Sequence, residues 1–384
     1  MVLAPFDLVR DLCRPDWDPQ RPLHGETDWH ALLALAGEHD LLPLVSHRLS
    51  QAETRAVPAE LRDSLAVFND RQRRRTQGRG WQLQQVLHGM NGAAIPVIAL
   101  KGPLLGRRIY GEAWLRSIRD LDILVRQEDV DRTLDLLASL GYAHDPNLDA
   151  RAQALLRRYA GQYLMLHPSR APVEPHWLLA PRTLAFGLDH HRMWQDARPT
   201  VFRGEPCLEL SPEDTLLALC LHGAKDRWQS LKHVVDVAFF LDAHPHLAWD
   251  RLADRAAAEG CRRVLGLGLR LAHSLLGASV PAEMGDDRTL HRLADRAADR
   301  LRRDGAKLEG PYTLCGDYWA MHERPRDRWA YAVRTALAPR PAHYQRLKLP
   351  ERLTWAYSLL KLPWDYGLTP LLGLLRRRSH AARA

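Results

Sequence analysis

Cysteine is scarce in this sequence, and what there is does not pair. Cys13, Cys207, Cys220, Cys261 and Cys315 are odd in number, far apart and without a CxxC, which argues against a disulfide framework and for a reducing compartment. Long apolar runs are missing too. The greasiest region, Leu353 to Leu375, is broken by Lys361, Pro363, Asp365 and Pro370, so packing against the body of the protein is expected there and a membrane span is not. Asp7 and Asp11 fall where an export signal needs an unbroken apolar segment, and the expected location is the cytoplasm. No G-x-S-x-G, H-E-x-x-H or Walker A stretch occurs, which leaves nucleophile-elbow, zinc-protease and P-loop chemistry without a foothold.

What is present is an ordinary globular composition with a basic excess. Of 384 residues, 46% are apolar, enough for two or three domains with real cores. Lys and Arg number 54 against 46 Asp and Glu, a net charge of +8 with a pI near 9.4, so anionic partners are favoured and none is selected. Most of the excess is arginine spread through helical sequence, with one dense run at Arg376, Arg377 and Arg378, and reads as solvated helix faces. The basic residues are not interleaved with aromatics on one short element, as a base-stacking platform requires. Nucleic acid is therefore not the expected partner.

The hydrophobic pattern divides the chain in three. Residues 1–90 read as helices, with Trp29, Leu32, Leu33, Ala36 and His39 near helical spacing and an arginine-rich polar helix after them. Residues 91–204 change pattern. "AIPVIALKGP" is short, rich in β-branched residues and ends in Gly102 and Pro103, a strand running into a turn. A short helix over "LLGRRIYG" and a second strand over "IRDLDILVR" follow. The helix over "EDVDRTLDLLASLGY" puts Val130, Leu134, Leu137 and Leu140 on one face, with Gly141 at its left-handed cap. A third strand is expected at "APVEPHWLL" and a hairpin at "PTVFRGEPCLELS". Residues 205–384 are almost wholly helical, opened by Ser211 as cap, Pro212 in the first turn and Asp214 at the third helical position. A proline-punctuated loop and a last pair of helices close the chain. The expected fold class is α+β and mostly helical, a small mixed sheet flanked by N-terminal helices and a large C-terminal helical region.

The chemistry concentrates in "SIRDLDILV", residues 117–125. Strand side chains alternate, so Asp120 and Asp122 share one side while Leu121, Ile123 and Val125 take the other. The apolar side faces the core, which puts two carboxylates on the exposed side, where like charges raise each other's pKa unless a cation intervenes. On that reading, replacing either by Asn leaves stability unchanged or raises it. Mg²⁺ is the usual hard-cation answer, with Mn²⁺ as a substitute: it takes oxygen ligands and fills its shell with water and substrate phosphate. Two such ions can clamp the attacking and leaving oxygens of an in-line phosphoryl displacement. A lone D-x-D is as readily a solvated strand end. Here a glycine turn precedes it, whose backbone N–H groups can cradle phosphate while Lys101 adds a charge. A later strand offers Glu174, with His176 on the same face, as a candidate third carboxylate.

Three acids, a glycine turn and a flanking helix in this order resemble the DNA polymerase β-like nucleotidyltransferase superfamily. Within it, "LKGPLLGRRIYGEAWLRSIRDLDILVRQEDVDRTLDLLASLGY", then "EPHW", then "LCLHGAKDRWQSLKHVVDVAFFL" is similar to a bacterial family of largely uncharacterised nucleotidyltransferases, over roughly residues 25–345. The resemblance implies a nucleotidyltransferase core in residues 91–204, metal binding by Asp120, Asp122 and Glu174, and nucleotide-phosphate contacts from Lys101, Gly102 and Arg119. His222, Trp228 and Asp236 match recurrent positions with no assigned role. Two traits depart from the superfamily and are shared by this family: Pro103 removes a backbone donor after Gly102, and the interval from Gly102 to Asp120 is long. Pro175, beside Glu174, points to an edge strand or a bulge.

The activity so implied moves a nucleoside monophosphate from an NTP such as ATP to an acceptor hydroxyl, with release of pyrophosphate and two Mg²⁺ ions. A small molecule or a protein is the expected acceptor. The competing class is a non-catalytic nucleotide-binding or interaction protein that keeps the fold, and the presence of all three acids favours the enzyme. "GLGLRL" at residues 266–271 lacks the third glycine and the preceding strand of a dinucleotide fingerprint and reads as helix packing. His190, His191, His222, His233 and Asp236 could form a phosphohydrolase-like metal site on helices, but scattered histidines are more often surface or capping residues.

Overall fold

Capping and an apolar face set the first helices of the chain, whose computed structural model describes residues 4–20, 27–52, 57–281, 287–303, 313–340, 343, 347, 349–350, 353 and 355–368. These helices are α1 (Pro5–Leu12), α2 (Trp29–Glu38) and α3 (Leu42–Gln51). Asp28 caps α2 by accepting from the Ala31 N–H, and Leu32 and Ala36 are buried. The arginine-rich helix α4 (Ala59–Gly92) is 34 residues long. Its second half buries Leu83, Val86, Leu87 and Met90 against a sheet, together with Leu121, Ile123 and Val125. Its arginines lie mainly in the first half.

The sheet is built from β1 (Ile98–Ala99), β2 (Leu121–Leu124), β3 (Ala143–His144), β4 (Met165–Leu166), β5 (Val173–His176), β6 (Arg198–Phe202) and β7 (Glu205–Glu209), in the order β3-β4-β5-β2-β1-β7-β6. It is mixed: β2 runs parallel to β5 and β1 to β7, and the other pairs are antiparallel. Between the strands lie α5 (Gly102–Tyr110), α6 (Val130–Ser139), α7 (Ala150–Tyr159) and α8 (His190–Asp196). Gly141 follows α6 at φ +88°, the left-handed turn that lacks a steric cost only for glycine. The strands β3 and β4 have two residues each, too few for alternation to announce them.

Pro175 is not at an edge, because β5 lies between β4 and β2. The sheet tolerates it through a gap in pairing on the β4 side, where contact is limited to Met165 opposite Val173 and a bridge from Gln162 to His176. Between these, the Tyr163 N–H donates to the Pro175 carbonyl at 3.2 Å. No donor is asked of proline there.

The regular structure after β7 is helical among the described residues: α9 (Pro212–Lys225), α10 (Leu231–Ala243), α11 (Trp249–Glu259), α12 (Arg262–Leu276), α13 (Arg288–Arg302), α14 (Gly316–Met321), α15 (Pro325–Leu337) and α16 (Ala356–Pro363). Ser211 caps α9 by accepting from the Asp214 N–H, and its hydroxyl donates to the Asp214 carboxylate at 2.8 Å. One apolar core joins α9–α13 to α1–α3 and reaches Leu105 and Ile109 of α5. Gly268 lies inside α12, where a Cβ would stand 3.0 Å from the buried Trp228 ring and closer still to Cys220; this glycine of the pair serves helix packing. The second of the last two helices expected from sequence and the run Arg376–Arg378 lie outside the described residues. Among the described residues no helix is long and apolar enough to cross a membrane.

Candidate active site

The parallel register of β2 and β5 sets Asp122 opposite Glu174 and Leu124 opposite His176. Two acids and an imidazole therefore emerge on one face. His176 Nε2 lies 2.9 Å from Asp122 Oδ1 and 3.5 Å from Glu174 Oε2. Gln162 donates to the same Glu174 oxygen at 2.8 Å, and Lys101 Nζ is 3.5 Å from Asp122 Oδ1. One ligand atom from each of Asp122, Glu174 and His176 lies within 4.8 Å of the others. Asp120, one residue ahead of β2, is half-buried and close enough to feel the charges of Asp122 and Glu174.

The face is not exposed, contrary to the expectation from alternation. Leu124 shares it with Asp122 and packs on Ile98, Leu100, Met193 and Leu210, while α9 and α10 bring His222 and Lys232 over the acids. Asp122 is only 7% exposed. The D-x-D motif has lost its open side because elements about a hundred residues downstream roof it.

Burial treats the two aspartates differently. For Asp122, burial pushes the pKa up, but Lys101, His176 and Arg116 more than reverse it and hold the carboxyl well below its usual range. For Asp120, burial and then the charges of Asp122 and Glu174 push it up, against weaker help from Lys101 and Lys232. For His176, burial favours the neutral ring, yet hydrogen bonds to Asp122 and Glu174 raise its pKa above the ordinary value. One carboxylate is satisfied and the next is not. Carboxylate oxygens gathered on one face, with Asp120 left short of positive partners, make a donor set that fits a hard divalent cation.

The glycine turn abuts these acids, since the Leu100 N–H donates to the Asp122 carbonyl at 3.2 Å. Gly102 opens α5 at φ +66°, and a Cβ there would meet only Leu121 Cδ2 at 3.8 Å. Glycine is required by the backbone, not by crowding. Arg119 behaves otherwise: its guanidinium pairs with Asp40 at 2.7 Å and is largely exposed. The structure thus brings Asp120, Asp122, Glu174, Lys101 and Gly102 together and turns Arg119 away.

The roof contains residues that sequence reasoning left without a role. Lys101 Nζ donates to His222 Nδ1 at 3.3 Å, and the His222 and His233 rings meet edge to face at 4.7 Å. Asp226 Oδ2 stands 3.8 Å from His222 Nε2 and 3.6 Å from His233 Nε2. Arg227 and Trp228, both left-handed at φ +53° and +54°, end α9 and turn the chain so that these three side chains meet. His190 is elsewhere, accepting from the Leu179 N–H at 3.1 Å. Asp236 is buried against Arg116 at 2.9 Å, with the Tyr110 hydroxyl donating at 2.8 Å. Lys232, one turn before Asp236, is brought down to about 8 by burial and by Arg116. The two-residue period announced His176, and His222 and His233 stood among the histidines weighed for a metal site; the structure brings those two together with Asp226, not Asp236, while Lys232 arises from tertiary packing and left no local signal.

Residues 25–277 match a family described as uncharacterised nucleotidyltransferase. No curated protein and no solved structure matches the chain.

Proposed function

Because the chain belongs to the family of uncharacterised nucleotidyltransferases, we propose that it moves a nucleoside monophosphate from an NTP to an acceptor hydroxyl, releasing pyrophosphate, in the manner of the DNA polymerase β-like superfamily. The observation that carries this reading is the convergence of Asp122, Glu174 and His176 on one face, with Asp120 held above its ordinary pKa by its neighbours. Asp120, Asp122 and Glu174 would hold Mg²⁺, which when bound supplies Lewis-acid stabilisation of charge on the attacking and leaving oxygens.

The chain's own groups do the rest. Lys101 and the backbone N–H groups at the start of α5 bind the phosphate chain, and Lys232 lends a second positive charge from the roof. His176 fixes the Asp122 carboxylate through its 2.9 Å hydrogen bond, so Asp122 meets its ligand in one orientation. Glu174, steadied by Gln162, takes the proton of the acceptor hydroxyl. The roof of α9 and α10 keeps water from competing as acceptor.

Calorimetry with each NTP, with Mg²⁺ and with EDTA, tests the reading. Binding that requires Mg²⁺, together with pyrophosphate release when the acceptor is supplied, is expected. Affinity for every NTP that ignores Mg²⁺ would exclude metal-assisted transfer, and Mg²⁺-dependent binding without turnover on any acceptor would favour a non-catalytic nucleotide-binding protein.

A further inference from the structure

We propose that a second anion site, separate from the turn at Gly102, opens on the β5 flank of Asp120 and receives the phosphate group of a small phosphorylated acceptor. The proposal rests on the nucleotidyltransferase reading and names the substrate class for it. A groove of about 560 Å³ lies where α4 passes the starts of β2 and β5, lined by Arg75, Arg79, Trp81, Arg119 and Arg170. Arg75 and Arg79 are one helical turn apart, a spacing at which like charges repel. Among the described residues neither has an ion-pair partner, whereas Arg119 is neutralised by Asp40 and Arg170 donates to Gln85 at 3.0 Å. Arg79 is half-buried, and burial, then Arg75, lowers its pKa, with Asp120 as the acid that opposes the shift. Two adjacent guanidiniums without an ion-pair partner, one partly desolvated and offset only by the charge of Asp120, are a standing cost that a bound phosphate lowers.

Position separates this site from the nucleotide turn. Lys101 and Gly102 lie on the β1 side of β2, while Arg170, Ala171 and Pro172 lead into β5 on its other side. Anions held at both places bracket Asp120 and Asp122, as a donor and an acceptor must. Trp81 is 57% exposed, with the Arg203 guanidinium 4.1 Å from its ring, a flat wall suited to a sugar or a base. The basic track does not continue along α4 as a polymer would need: Arg73 lies over Trp114 at 4.4 Å and Arg74 pairs with Asp70 at 2.8 Å. A small ligand fits this better than a nucleic-acid strand.

The test is calorimetry of the full chain with inorganic pyrophosphate, alone and with a saturating non-hydrolysable analogue of each NTP plus Mg²⁺. Two sites are expected without the analogue and one with it. Arg75→Ala/Arg79→Ala should weaken the retained site about tenfold or more, the scale of losing charge-assisted hydrogen bonds, while analogue affinity holds; Arg75→Lys/Arg79→Lys should restore part of it. Full displacement of pyrophosphate by the analogue, or a retained site indifferent to the double variant, overturns the proposal. Failure of every analogue to bind instead counts against the nucleotidyltransferase reading, and the groove is then judged by whether the double variant removes one pyrophosphate site. A short single-stranded RNA that binds more tightly than pyrophosphate and persists at about 200 mM salt would make the acceptor nucleic acid and overturn the small-molecule assignment.

Discussion

Across the parallel pair β2–β5, His176 Nε2 meets Asp122 Oδ1 at 2.9 Å, and this contact splits the two aspartates of one motif into a compensated and an uncompensated carboxylate. Asp120→Asn removes a charge whose pKa burial and then Asp122 have raised, so stability should hold or rise. Asp122→Asn strips the partner from Lys101 and His176 in a buried setting and should lower stability by about 1.5–3 kcal/mol, the range for hydrogen bonds to charged groups. Both should abolish transfer. Urea denaturation beside a pyrophosphate-release assay separates the cases; equal shifts of the same sign in the two variants would contradict the division.

The pH dependence of stability should have two limbs with different owners. Burial, opposed by Asp226 and Asp236 and reinforced by Lys232 and Lys101, brings His233 from 6.5 down to about 4, and His322 falls to about 4 chiefly through burial. An imidazole kept neutral in the fold protonates first in the unfolded chain, so stability is full above about 6.5 and falls as pH drops toward 4. At about 1.36 kcal/mol per pKa unit, His233 accounts for about 3 kcal/mol at most. His176 has the opposite sign: its raised pKa gives a contribution complete below 6.5 and lost as pH rises through its folded value. His233→Asn should flatten the acid limb and His176→Asn the alkaline one, read from urea midpoints between pH 4 and 8.

Gly102 isolates backbone strain from packing. A Cβ there has room, meeting Leu121 Cδ2 at an ordinary 3.8 Å, but φ is +66°. Gly102→Ala should therefore cost about 1–2 kcal/mol of stability from the left-handed conformation alone, or relax the turn and lose its N–H geometry. A variant that bears the whole strain keeps its N–H groups in place and its nucleotide affinity, whereas one that relaxes, seen as a smaller stability loss, should lose more than tenfold in affinity. A relaxed turn with unchanged calorimetric affinity would remove the turn from the phosphate site.

The elements that carry the acids were legible because their periods are local: alternation marks β2, and Val173, Glu174 and His176 mark β5. The left-handed Gly141 and the Ser211 cap were equally readable. What could not be read is which faces other elements cover. Alternation put Asp122 in solvent, and only the roof from α9 and α10 makes it buried, paired and low in pKa. Arg119 was the nearest arginine in sequence to the acids, yet Asp40 claims it. Arg79, some forty residues upstream, faces Asp120 because α4 passes the end of the sheet. Pro175 read as an edge or a bulge; the edge is excluded, and the gap beside β4 that accommodates it involves a strand too short to foresee.

The pair Arg116–Asp236 ties the sheet to the roof, and its removal should show whether that tie sets the site. Both side chains are nearly fully buried, 2.9 Å apart, with the Tyr110 hydroxyl completing the carboxylate's bonds. Asp236→Ala leaves a buried guanidinium unpaired and should cost about 3–5 kcal/mol, whereas an apolar pair of similar volume often recovers most of such a loss. Arg116→Met/Asp236→Leu should therefore be much more stable than Asp236→Ala. Activity should not follow stability. Asp236 lies one turn beyond Lys232 and His233 on α10, so an apolar replacement lets the roof settle without the bidentate hold that fixes its height over Asp120. The double variant should keep its fold by circular dichroism and lose about tenfold or more in kcat/KM for the NTP, on the scale by which small displacements of positioning groups slow a reaction. A double variant both stable and fully active would show that the pair only fills space between α10 and the segment that leads into β2.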